Sequence, residues 1–123
     1  MVGFINDYQL EQNAKALNGE SFEIPDYLAV GTSLNILASD TVLEGEIGSR
    51  VLLTGARTSN AVSFSAIRTG AVLVSATGDT LRASALMTAS TGGFINTSAT
   101  HSGILQTTNF DVEFVYTLTY IRN

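Results

Sequence analysis

This chain has no cysteine and no tryptophan, and only one proline, one histidine and one lysine. Without cysteine there is neither a disulfide nor a thiolate metal site. The cations are Lys15 and five scattered arginines, Arg50, Arg57, Arg68, Arg82 and Arg122. No basic run is present, so nucleic acid has nothing electrostatic to grip, and a polybasic membrane anchor is missing for the same reason. No window holds the roughly 18 apolar residues of a membrane span. Residues Met1 to Asn13 lack the apolar centre and basic start of a secretion signal. These absences lead us to expect a chain made and kept in a cytoplasm, or leaving it only by cell lysis, with no nucleic-acid or membrane partner. Charge as a whole is scarce. Charged residues make up 14% of the 123 residues, against roughly 25% in an average soluble domain. Small neutral groups fill the deficit, and a surface made of them costs little to desolvate against a neighbour.

What is present is enough for one domain with one core: 45% of the residues are apolar. The segment from Phe4 to Asn18 predicts a helix. Asn6 or Asp7 can cap it, Leu10, Ala14 and Leu17 fall at i, i+4 and i+7 on one face, and Asn18-Gly19 ends it. Phe4 and Ile5 stand where they can pack back on the first turn. Tyr27 to Thr32 reads as a short buried strand, and Thr41 to Glu44 has the spacing of a capping box, predicting one helical turn. From Arg50 onward the pattern turns to strands: Arg50 to Arg57, Ala61 to Ile67, Ala71 to Ala76, Thr80 to Thr88 and Phe94 to Thr100. Turns fall at Ser59-Asn60, Thr77-Gly78-Asp79 and Ser90 to Gly93. The last strand, Phe110 to Ile121, alternates most clearly. Phe110, Val112, Phe114, Tyr116, Leu118 and Tyr120 share one face, a period of two that no helix has. Twelve extended residues reach about 40 Å.

Candidate chemistry is thin. Any serine-type catalytic set must use His101, with a serine and Asp79 or Asp111, yet no G-x-S-x-G elbow selects a nucleophile. Glu44 with Glu46, and Glu20, Glu23 and Asp26, are acidic clusters without the frame of a calcium loop. Asp111 and Glu113, two apart on a strand, would share a face near 7 Å apart, but they read as the wet side of a sheet. Thr91-Gly92-Gly93 lies between strand-like runs and reads as a hairpin turn, not a phosphate loop. We therefore expect no catalytic, metal-binding or cofactor-binding residues, no cofactor, and no enzymatic activity.

Several segments, taken in order, resemble a broad group of small bacteriophage virion proteins described as decoration, tail-fibre or simply structural. They are Asn13-Ala14-Lys15-Ala16-Leu17-Asn18-Gly19, Tyr27-Leu28-Ala29-Val30-Gly31-Thr32, and Ser39-Asp40-Thr41-Val42-Leu43-Glu44-Gly45-Glu46 followed by Arg50. They continue with Thr80-Leu81-Arg82 through Leu86, Ala89 and Gly92-Gly93, and close on Val112 to Tyr120. The chain departs from the group at Ala83-Ser84-Ala85, where an acidic residue and a glycine are usual, and in its more apolar loop from Leu34 to Ala38. The resemblance implies a virion structural protein, with capsid decoration or cement first and a tail, adaptor or fibre module, with or without host-surface binding, as the alternative. It also implies the major capsid protein or tail proteins of the same virion as partners, and a homo-oligomer.

Together these readings predict a single domain over residues 1–123. A helical arm over 1–20 leads into a β-sandwich over 25–123, jelly-roll or Ig-like. The expected core is Leu10, Ala14, Leu17, Val62, Phe64, Val112, Phe114, Tyr116 and Leu118. The expected contact residues are Phe4, Tyr8, Leu34, Ile36 and Arg122, where termini and loops can reach neighbours.

Overall fold

A computed structural model of the chain describes residues 2–70, 73–75 and 77–120. Among these residues the chain forms β1 (Val2–Ile5), α1 (Asp7–Leu17), β2 (Tyr27–Gly31), β3 (Glu46–Leu52), β4 (Thr54–Thr58), β5 (Ala61–Arg68), β6 (Asp79–Met87), β7 (Ile95–Gln106) and β8 (Val112–Thr119). The strands make two antiparallel sheets, one ordered β1-β7-β6-β2-β3 and the other β4-β5-β8. The fold is a β-sandwich with one short helix near its N-terminus.

Alternation in β5 and β8 builds one side of the core. Ala66, Phe114 and Tyr116 are buried, facing Leu28, Val30, Leu81, Leu86 and Ala99 of the larger sheet. Phe64, Val112, Ile47, Val51, Leu53 and Ile104 are partly buried around them. The larger sheet has a second apolar cluster, Ala29, Ala83, Ala85, Met87 and Ile95, closed over by Leu43 with Tyr27 and Ile36 at its margin. Successive residues in β2 and β6 thus fall into opposite clusters, which is why both segments read as near-continuous apolar runs. The smaller sheet has one buried side only. Ile67 and Val115 are about half exposed on it, and β4 is exposed along its whole length.

The structure departs from the sequence reading in several places. Phe4 and Ile5 belong to β1, paired with Ser98 and Thr97 of β7, so the start of the chain is a sheet edge and not part of a helical arm. Residues 41–45 form bends and a turn, not a helical turn. Their apolar member Leu43 instead plugs the second cluster at 2% exposure. The expected strand Arg50 to Arg57 is two strands. The break at Leu53 carries the chain from one sheet to the other, its N–H held by Asp26 O at 2.8 Å. Residues 73–75 are not strand, and Ala71, Val72 and Ala76 lie outside the described residues. β8 is shorter than expected, leaving Phe110 and Tyr120 beyond its ends at 44% and 58% exposure. β7 is longer than expected, because its second half pairs with Asp79 to Leu81 beyond an irregularity in register.

A buried ion pair ties the β5–β6 connection down. Arg68 and Asp79 meet at 2.9 Å with almost no exposure, and Gln106 accepts from Arg68 at 2.7 Å and donates to its carbonyl oxygen at 2.7 Å. Asp79 also accepts from the backbone N–H groups of Val74 and Ser75. Burial pushes its carboxyl up, but these N–H groups and the Arg68 guanidinium outweigh that and hold it below the usual aspartate value. Gly78 sits in the same turn at φ +113°, where a Cβ would stand 2.8 Å from Gln106 O, so only glycine fits.

Candidate functional site

The single histidine lies between the sheets. His101 Nε2 is 2.9 Å from Ser84 Oγ, and Ser84 Oγ is also hydrogen-bonded to the Tyr116 hydroxyl. These three residues come from β7, β6 and β8, so the contact joins one sheet to the other. The His101 ring meets Phe114 edge-on, with centroids 5.7 Å apart. Burial lowers the His101 pKa from its ordinary value, and burial pushes the Tyr116 hydroxyl up to about 12. At neutral pH both groups are therefore uncharged hydrogen-bonding partners. Ser84 is fully buried, so its oxygen has no open approach for an attacked carbonyl. The arrangement is suited to holding two sheets in register.

The acidic candidates are dispersed among structural tasks. Asp79 is in the Arg68 ion pair, and Asp111 lies before β8 and accepts from Gly70 N at 2.9 Å, so it does not share a strand face with Glu113. Glu46 receives Arg50 at 2.8 and 3.0 Å, while Arg50 also donates to Ala89 O and Gly92 O and so clamps the β6–β7 turn to β3. Glu44 accepts from Asn35, and Glu23 is bonded to the Tyr8 hydroxyl. Among the described residues no three His, Asp or Glu side chains gather at one point.

The unusual surface is made by α1. Its N-terminus is held by backbone: Asp7 N–H donates to Ala38 O at 2.9 Å. Asn6 stands in the cap position, but its side chain makes no cap bond. It is buried instead, donating to Leu37 O and Asp40 O and accepting from Ser98 Oγ at 2.7 Å. At the other end Gly19 takes φ +73°, and Glu20 N–H donates to Lys15 O, which closes the helix. The buried helical side chain is Gln12, whose Oε1 accepts from Glu23 N–H at 2.7 Å. Tyr8 is half-buried and stacks on Phe94 at 4.5 Å. Leu10, Ala14 and Leu17 are exposed, Leu10 by 54% and Leu17 by 91%, and so are not core residues. The helix presents its apolar stripe to solvent because hydrogen bonds of Asn6 and Gln12 fix which side faces the sheet.

Beside the helix the sandwich core stays open. Two adjoining hollows of about 230 and 300 Å³ share Asn13 and Tyr120 as lining residues. Gln9, Ala16 and Leu17 of α1, Phe22, Ile24 and Pro25 of the following segment, and Val62, Phe64 and Leu118 of the smaller sheet complete their walls. Phe22 and Ile24 are more than half exposed. The result is an apolar groove with an apolar helix ridge along one side.

No family model, curated protein or solved structure matches this chain.

Of the expected core, Phe114 and Tyr116 are buried, and Val62, Phe64, Val112 and Leu118 are half-buried. Of the expected contact residues, Leu34 is 55% exposed and Ile36 is half-buried against the second cluster. Tyr8 is engaged with Phe94 and Glu23, and the Phe4 side chain and Arg122 lie outside what the structure describes. Sequence reasoning missed Phe22, Ile24 and Tyr120 as surface apolar groups. Phe22 and Ile24 flank a glutamate just before the only proline, an apolar pair outside any periodic element, and that was the available signal.

Proposed function

We propose that this chain is a non-catalytic structural module of a bacteriophage particle, first of all a capsid decoration or cement protein. The observation that carries this reading is the outward apolar stripe of α1, with Leu17 at 91% exposure beside an open apolar groove. Exposed apolar patches of this kind are costly to leave in water and mark surfaces that another protein covers. A low-charge surface supports the same reading, since little hydration must be stripped when neighbours close on it. The particle, and the major capsid protein as partner, rest on the resemblance of the ordered segments. As a cement, the chain would bury area across capsomer boundaries and stabilise the shell by mass action.

A tail, adaptor or fibre module is the second reading, and β4 is what favours it. Among the described residues this strand pairs with β5 alone and is otherwise exposed, an edge to which a neighbouring chain can add a strand. Quantifying the chain in purified particles separates the two. Hundreds of copies per particle support decoration. Copies in single or low double digits favour the tail reading, and absence from the particle removes both.

A further inference from the structure

We infer that the α1 ridge and the groove beside it form a self-recognition surface, through which two copies of this chain associate about a two-fold axis. This deepens the reading that the face is covered in an assembly, and rests on it, by naming the cover as a second copy. An isologous contact needs one patch to supply both halves, and here ridge and groove are adjacent on the same helix. Ala14 lies between Leu10 and Leu17, so two helices crossing there can approach closely. An antiparallel crossing at Ala14 sets Leu10 of each copy beside Leu17 of the other.

The helix dipoles favour that direction. Asp7 and Glu11 occupy the first half of α1 and Lys15 the second. An antiparallel pair crossing at Ala14 brings Lys15 of each copy within one turn of Glu11 of the other along the axis and opposes the two helix dipoles. A parallel pair would set acid against acid in a chain of net charge −5. The residues lining the groove are uncharged, so its closure buries no unpaired ion. The area suffices as well. Leu10, Leu17, Phe22, Ile24 and Tyr120 are each more than half exposed. At roughly 100 Å² apiece they bring a symmetric pair to about 1,000 Å² in total, the lower bound of a specific interface.

Sedimentation velocity on the purified full chain, from low micromolar to near-millimolar concentration, tests this. The expected result is a monomer–dimer equilibrium. Leu17→Glu, which sets a new carboxylate near Glu11 of the other copy, should weaken it at least tenfold, and Leu17→Lys should weaken it less. Leu10→Glu serves as the second variant, and the melting temperature of each variant confirms folding, since both positions are solvent-facing. A monomer at every concentration, or a dimer indifferent to both glutamate variants, overturns the inference. Particle binding measured on the same proteins keeps the two ideas apart. A monomeric wild type that binds particles only with Leu17 intact overturns self-association and supports the assembly reading. A face-dependent dimer that never enters particles supports self-association and overturns that reading.

Discussion

At the scale of single residues, the contact of His101, Ser84 and Tyr116 has a consequence in pH. Burial lowers the His101 pKa below its ordinary 6.5, so the fold favours the neutral ring. The unfolded chain takes up its proton near 6.5 and the folded chain only at lower pH. Between those values the unfolded state binds more protons, so stability falls as pH drops below about 6.5 and levels off beneath the folded value. Asp79 acts in a separate window. Its carboxyl is held below 3.8, so its contribution is present above that value and is lost as pH falls further. Because the chain has one histidine, the upper window belongs to His101 alone among its histidines. Calorimetric melting should show the wild type losing stability on acidification from neutral pH into the mildly acid range, and His101→Gln should flatten that step. Identical profiles would contradict it. Phe114 sits at 5% exposure against the same ring. Phe114→Ala should cost about 3–5 kcal/mol in urea unfolding, and an unchanged midpoint would contradict its core position.

At the scale of elements, α1 shows what a pattern of apolar residues can and cannot specify. Leu10, Ala14 and Leu17 do form one stripe, as their spacing requires, and Asn18-Gly19 does end the helix. The direction of the stripe was not legible, because periodicity defines a face without saying what it meets. Long-range hydrogen bonds decide the direction: Asn6 to the loop carbonyls of Leu37 and Asp40, and Gln12 to Glu23 N–H. Leu10→Ala and Leu17→Ala should therefore change unfolding free energy by no more than about 0.5 kcal/mol. Gln12→Ala leaves a backbone N–H without its partner and should cost about 1–3 kcal/mol. Urea titration of the three variants checks the order, and a larger loss for the leucine variants would reverse the assigned faces. β8 was legible because one of its faces is wet. β7 was read too short because its Ser, Thr and Gly residues carry little strand signal, and its far half is held by pairing with β6.

At the scale of the whole molecule, the two sheets are treated unequally. The larger is covered on both sides, by the smaller sheet and by the Leu43 cluster, whereas the smaller leaves Ile67, Val115 and all of β4 exposed. The sandwich class was legible from turn spacing and alternation. The open end of the core was not, because it arises where α1, residues 22–25 and the end of β8 fail to close over Val62, Phe64 and Leu118. The proposed assembly role is decided by imaging a purified particle and locating this chain in it. The expected image shows many copies, each with the outer face of α1 covered by protein. A particle without the chain, or one in which Leu10 and Leu17 face open solvent in every copy, would contradict it.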